Sequence, residues 1–162
     1  MLNASRRTQE MQHTIASAFS STLFLNLYPH STITLTLHVL SQDGSLLACL
    51  LNAATLALID AGIPMRNYIS ACTCGSTASY AEKEEESDPV LDLNGLEEQE
   101  LPFVTVGAVG EDVSVLVMET RVQVQRLEAM ISVGLDGCAQ IRSMLDEIVR
   151  SHGKRVLEAK VS

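Results

Sequence analysis

The stretch from Leu46 to Met65, LLACLLNAATLALIDAGIPM, decides how the chain folds. From Leu46 to Ala61 it is apolar almost all round, which is typical of a helix buried inside a domain. Gly62 and Pro64 follow and end the helix, because glycine accepts a left-handed conformation and proline cannot continue the hydrogen-bond ladder. The sequence therefore predicts a buried central helix.

Strands are predicted on both sides of this helix. Before it, the segment 31–40, STITLTLHVL, alternates apolar and polar residues and is rich in β-branched side chains. Two amphipathic helices are predicted at 3–27 and 123–152. Further strands are predicted at 67–76, 90–93, 103–110 and 113–120, the last two as a hairpin around the turn GED. This order predicts an α+β domain with helices packed on a mostly antiparallel or mixed sheet.

Length and composition indicate a single domain over 1–162, with 46% apolar residues to form a core. No apolar run is long enough to cross a bilayer, and the N-terminus lacks the order of a signal peptide. Four cysteines form no disulfide pattern, and Cys72 and Cys74 would share one face of a strand. We expect a soluble intracellular protein with no metal and no cofactor.

The net charge of −9 argues against a nucleic-acid binder that relies on a generally basic surface. Much of this charge is local, since the stretch from Ala81 to Glu100 holds nine of the twenty Asp and Glu residues. We interpret its first part, 81–89, as a solvated acidic loop. A local basic patch elsewhere remains open.

Four motifs together resemble the RNase PH family. They are RRTQEMQ (6–12), YPHSTITLTLHVLSQDG (28–44), NAATLALIDAGIPM (52–65) and LDLNGLEE (91–98). The likeness runs from Ser5 to about His152 and is strongest to the eukaryotic exosome ring subunit that corresponds to the catalytic subunit of the archaeal exosome. It implies the RNase PH-like fold, which is the fold of ribosomal protein S5 domain 2. It also implies that the N-terminal part of the domain is missing, because family members carry further strands ahead of the RRT helix.

Catalytic members of the family use phosphate to release nucleoside diphosphates from the 3′ end of RNA. The resemblance places a contact to phosphate or RNA on Arg7, and the hydroxyl and arginine of the phosphate-binding turn on Leu46 and Leu47. Two aliphatic side chains can neither donate a hydrogen bond nor neutralise phosphate. Losing these phosphate contacts is expected to slow phosphorolysis roughly a thousandfold. The family's pair of carboxylates falls on Asp92 and Glu98. The site is therefore expected to be degenerate and non-catalytic.

Two readings stay open for each charged pair. Arg6 and Arg7 are either a solvated pair or RNA-binding residues of a ring channel, and cations at the front of a helix oppose its dipole, which favours another use. Asp92 and Glu98 are either residual metal ligands or structural acids.

The resemblance implies a non-catalytic structural and RNA-channel subunit of the exosome, active in rRNA processing and mRNA decay. Its implied partners are RNase PH-like subunits of a six-member ring, an S1/KH-type cap protein, a catalytic nuclease and single-stranded RNA, with no membrane. The implied location is the nucleus with its nucleolus, and the cytoplasm. The alternative is an active phosphate-dependent 3′-to-5′ exoribonuclease.

Overall fold

A computed structural model describes residues 6–77 and 88–161. The helices are α1 (Arg6–Thr22), α2 (Leu46–Asp60), α3 (Glu97–Glu100) and α4 (Val124–Val161), and a short 3₁₀ turn (Leu25–Leu27) follows α1. The strands are β1 (Ile69–Ser76), β2 (Pro89–Leu91), β3 (Phe103–Val109) and β4 (Asp112–Met118). The predicted α+β class is confirmed.

The four strands form one antiparallel sheet in the order β2-β1-β3-β4. The predicted hairpin is present, and Gly110, with φ of +73°, supplies the left-handed residue that its turn requires. The register of β3 and β4 shifts between Gly107 and Ala108, where Ser114 is the extra residue of a β-bulge. β1 and β3 lie in the middle of the sheet, and β2 and β4 lie at its edges.

Helix α2 is fixed to β1 by two polar side chains of the NAATLALID segment. Asn52 donates from Nδ2 to the Ala71 carbonyl oxygen and accepts from the Ala71 N–H, both at 2.8 Å. Thr55, which is fully buried, donates to the Ile69 carbonyl oxygen at 2.7 Å. These bonds satisfy main-chain groups of β1 beyond the reach of the short strand β2, which pairs only with residues 74–76. Asn52 and Thr55 are polar residues in a largely apolar helix. They supply the hydrogen-bond partners that the buried main-chain groups of β1 require.

The sheet separates two apolar cores. On one face α1 and α2 pack against β1 and β4, with Leu51, Ala54 and Ile69 fully buried. On the other face α4 covers Val104 and Val106 of β3 together with the cysteines of β1. Cys72 and Cys74 share this second face, as their spacing predicts. Helices therefore cover both faces of the central strands β1 and β3.

The prediction of a strand at 31–40 is wrong. Burial does alternate there, and Ile33, Leu35 and Leu37 pack partly buried against α1 and α2. No strand among residues 6–77 and 88–161 pairs with it, so it lacks the ladder that defines a strand. Period-two patterning specifies which side chains point inward, but hydrogen bonding also needs a neighbouring strand.

Two other predicted boundaries differ. The first helix ends at Thr22 rather than near Leu27, because the chain bends where Leu23 forms a bridge with Met65. The last helix continues past His152 to Val161, since Gly153 is followed by good helix formers. Residues 81–87 of the predicted acidic loop lie outside the described part of the chain. No helix among the described residues has the length and apolarity that crossing a bilayer needs.

The buried thiols make stability fall at alkaline pH. Desolvation raises the pKa of Cys74 and of Cys138 from 9.0 to about 11. As the pH rises, the unfolded chain therefore loses these protons first, so the stabilisation is complete below pH 9 and is lost between pH 9 and about 11. We expect urea denaturation to give a lower free energy of unfolding at about pH 10.5 than at about pH 8.

Matched variants separate this effect from other alkaline titrations. Cys138→Ala should make the pH dependence shallower, whereas Cys49→Ala should leave it unchanged because Cys49 is exposed. If the free energy of unfolding depended on pH equally in both variants, the assignment to the buried thiols would be contradicted.

Candidate functional site

The turn before α2 is held against the segment that follows β2. Gly44 adopts φ of +85°, and a Cβ there would collide with the Leu93 carbonyl oxygen. Ser45 donates from its hydroxyl to the same carbonyl at 3.1 Å. Asp43 accepts a hydrogen bond from the Gly95 N–H at 3.2 Å. Three contacts across about fifty residues of sequence therefore fix the position where the resemblance places the phosphate-binding turn.

A capping box in the motif LDLNGLEE places Glu98. Asn94 accepts hydrogen bonds at Oδ1 from the N–H groups of Leu96 and Glu97, while Glu97 accepts at Oε2 from the Asn94 N–H. This reciprocal pair starts the short helix α3. The side chain of Glu98 in α3 then points back toward the start of α2.

Glu98 occupies the N-terminal end of α2. Its Oε1 accepts a hydrogen bond from the Ser45 N–H at 2.7 Å, and Ser45 is the N-cap residue of that helix. The N-terminus of a helix attracts anions because unpaired N–H groups and the helix dipole both favour negative charge. In this chain a carboxylate of the protein already fills that role. Glu98 thus connects α3 to the turn before α2 by a hydrogen bond.

Leu46 and Leu47 form the first turn of α2, as predicted, and offer only apolar surface to the site. Leu47 is buried and belongs to the core between α1, α2 and the sheet. Leu46 is half-buried and lines a small cavity of about 170 Å³ that also borders Arg7 and Glu98. These two side chains provide packing and no hydrogen-bond donor.

The two N-terminal arginines both have acidic partners. Arg7 lies 3.4 Å from Oε1 of Glu119, at the end of β4. Arg6 lies 3.0 Å from Oε1 of Glu10, one turn further along α1, and its side chain is 92% exposed. Arg7 therefore faces the site, whereas Arg6 projects into solvent.

Asp92 does not join the other predicted residues. It follows β2 with φ of +57°, and its N–H donates to the Thr73 carbonyl oxygen at 2.8 Å. Burial raises the pKa of the Cys72 thiol, a residue of the core beneath α4, and the negative charge of Asp92 raises it further. Glu98 instead lies at the start of α2, and Asp92 lines neither cavity beside it. Within the described ranges, no three His, Cys, Asp or Glu side chains are grouped so that they could hold a metal ion.

The site as a whole is acidic. A second, open cavity of about 500 Å³ is bordered by one cationic side chain, Arg7, and by three carboxylates, those of Asp43, Glu98 and Glu119. A phosphate dianion entering it would meet a formal surplus of two negative charges. Electrostatics thus opposes anion binding at this place.

Sequence reasoning missed Glu119, Ser45 and Gly95. Glu119 is separated from Arg7 by more than a hundred residues, and no local pattern links the two. The sequence QDGS did signal a turn, and its glycine is consistent with a tight approach. Which segment it would contact could be known only from the fold.

Comparison with known proteins agrees with this architecture. A family profile described as "3' exoribonuclease family, domain 1", for RNase PH, matches residues 2–64. The exosome complex component SKI6 of Saccharomyces cerevisiae is 40% identical over 157 residues, which is 95% of this chain. The chain is thus similar to the RNase PH family over residues 2–64 and to an exosome component over nearly its whole length.

Two further proteins are similar over most of the chain. The exosome complex component RRP41 of Homo sapiens is 31% identical over 151 residues, covering 91% of this chain. The crystal structure of rice (Oryza sativa) Rrp46 superposes with a TM-score of 0.78 at 25% identity, covering 92% of this chain and 68% of that one. The chain spans 61% of the length of the yeast protein and 58% of the human one.

Removing the Glu98 carboxylate should destabilise the start of α2. Glu98→Ala leaves the Ser45 N–H without its charged partner, and a part-buried bond of this kind contributes about 1–2 kcal/mol. Urea denaturation should show that loss in the free energy of unfolding. Glu147→Ala, at an exposed position of α4, is the control and should change it by less than about 0.5 kcal/mol. Equal effects of the two changes would refute the role given to Glu98.

Proposed function

We propose that this chain is a non-catalytic structural subunit of an RNA exosome, one that helps to line the path of RNA toward a separate nuclease. The relatives named as exosome components support the assignment to this complex. The proposal extends to a six-member ring with other RNase PH-like subunits, to an S1/KH-type cap protein and to single-stranded RNA. It includes rRNA processing and mRNA decay, in the nucleus, the nucleolus and the cytoplasm.

The observation that carries the non-catalytic assignment is the Glu98 carboxylate at the N-terminus of α2. Phosphorolysis requires donors and cations arranged around an inorganic phosphate. Here Glu98 already accepts from the Ser45 N–H, and its negative charge repels a phosphate ion. The adjoining Leu46 and Leu47 supply neither a hydroxyl nor a cation. Arg7 is the cation that borders both cavities, and it is already paired with Glu119.

The RNA-channel part of the proposal rests on the position of Arg6 and Arg7. Both lie in the first turn of α1, where a positive charge is unfavourable to the helix dipole. Arg6 is almost fully solvated, so it can exchange its surface ion pair with Glu10 for an RNA phosphate at little cost. Contacts of this type follow the RNA backbone and do not discriminate between bases.

The first test is phosphorolysis by the assembled complex. The chain, reconstituted with the RNase PH-like and S1/KH-type subunits of its own organism, should release no nucleoside diphosphates from RNA when phosphate is supplied. Chromatography of labelled products gives the measurement. Release that depends on phosphate and disappears in Asp92→Asn would instead establish the active exoribonuclease.

The second test concerns the arginines. In the same complex, with its hydrolytic nuclease added, Arg6→Glu with Arg7→Glu should slow decay of long single-stranded RNA roughly tenfold, because two attractive phosphate contacts become repulsive. Gel analysis of decay and sizing of the complex should show slower decay with assembly intact.

A matched pair of controls completes this experiment. Arg150, like Arg6, has an exposed acidic partner one turn away on its own helix. Arg150→Glu should therefore leave decay unchanged. Arg7→Gln with wild-type Arg6 removes the attraction between Arg7 and an RNA phosphate. It does so without placing a second negative charge beside Glu119, as Arg7→Glu does. Unchanged decay in the double arginine variant would overturn the channel role.

A further inference from the structure

We infer that the outer edge of β4 is a docking site for an extended strand of a different polypeptide, apolar on one face, polar on the other and basic at its ends. β4 is the last strand of the sheet, and no strand of the described ranges pairs with its outer side. Alternate residues of an antiparallel edge strand direct their N–H and C=O groups away from the sheet. The main-chain chemistry of this edge therefore matches another β-strand. The inference rests on the sheet edge and does not depend on the proposed function.

The edge lacks the charged side chains that usually prevent strand pairing. The run from Val113 to Met118, VSVLVM, has no charged residue and no proline. Natural sheets commonly protect an edge with lysine, proline or bulges. A bulge is present at Ser114, but the register with β3 is regular from Val115 to Met118. That regular part is open to pairing.

One face of the edge is apolar and uncovered. Val113, Leu116 and Met118 are 44%, 47% and 41% exposed. Leu116 and Met118 pair across the ladder with Val106 and Val104, whose side chains lie in the core beneath α4. Helix α4 packs over β1, β2 and β3, so the apolar layer continues beyond the helix onto β4. An added strand with apolar residues on this face would extend the same layer.

On the opposite face, the incoming strand is expected to carry small polar residues. There β4 borders α1 across an open groove of about 310 Å³. His13, Ser17 and Ser21, spaced one turn apart on α1, are exposed and line this groove together with residues 114–117. A strand lying against β4 would meet these hydroxyls and the imidazole.

Charge distinguishes a different polypeptide from a second copy of this chain. Glu111 and Asp112 are exposed at the start of β4, and Glu119, the ion-pair partner of Arg7, follows its end. Two copies paired antiparallel about Val115 would set Glu111 of one against Glu119 of the other, and parallel pairing would align the same acids. Like charges facing each other across strands are destabilising. Basic residues at the ends of the incoming strand remove this conflict.

The test uses the full chain and a fluorescein-labelled peptide, Lys-Lys-Val-Thr-Val-Thr-Val-Thr-Val-Lys-Lys. Fluorescence anisotropy should show that it binds roughly tenfold more tightly than the same peptide with glutamate in place of lysine. Hydrogen exchange should show slower exchange of the amides from Val115 to Met118 when the peptide is bound. Binding without that protection would mean simple charge attraction and would overturn the inference.

Variants locate the binding to the edge. Leu116→Lys, on the exposed apolar face, should weaken binding roughly tenfold, whereas Leu157→Lys, at a 67% exposed position of α4, should not. Glu111→Lys with Asp112→Lys should reverse the preference in favour of the glutamate-flanked peptide. Equal binding of both peptides by the wild-type chain would overturn the charge assignment. Sedimentation showing a dimer of the chain alone that Leu116→Lys abolishes would assign the edge to a second copy.

Discussion

The two hydrogen bonds between Asn52 and Ala71 are the interaction on which the rest of this structure depends. They join the buried helix α2 to the strand β1 through both main-chain groups of one residue. A main-chain donor and acceptor left unpaired inside a domain would cost a few kcal/mol together. Because α2 is fixed in this way, its first turn and the preceding turn at Gly44 are also fixed against the segment that carries Glu98. The position of the site thus follows from the packing of one helix on one strand.

The same arrangement determines which chemical groups lie at the N-terminus of α2. Gly44 approaches the Leu93 carbonyl closely, and α2 presents its N-terminus to the site. At that N-terminus the Glu98 carboxylate accepts a hydrogen bond from the Ser45 N–H. The structural bond stabilises the turn and at the same time opposes phosphate, because one negative charge excludes another. Leu46 and Leu47 add apolar packing around the first turn of α2.

The β4 edge and the site also differ in how their acidic side chains are arranged. At the site, carboxylates are held by specific donors, Ser45 for Glu98 and Gly95 for Asp43. At β4 the acids lie at the two ends of the strand, and the run from Val113 to Met118 carries no charge. The first pattern is that of an internal structural network, and the second is that of a surface prepared for another chain.

The sequence by itself determined the elements that depend on local pattern. The apolar run of α2, the hairpin at Gly110 and the spacing of Cys72 and Cys74 each specify their own structure, because helix and strand periods are local properties. Pairing across the sequence was decided only by the tertiary structure. The segment 31–40 has the period of a strand but pairs with no strand among residues 6–77 and 88–161. Arg7 pairs with Glu119, which is more than a hundred residues away in the sequence. Asp92 and Glu98 are six residues apart, yet Asp92 lies near Cys72 and Glu98 lies at the start of α2, because a left-handed residue and a capping box turn the chain between them. Sequence spacing cannot report such a turn, since side-chain direction there depends on contacts made by distant segments.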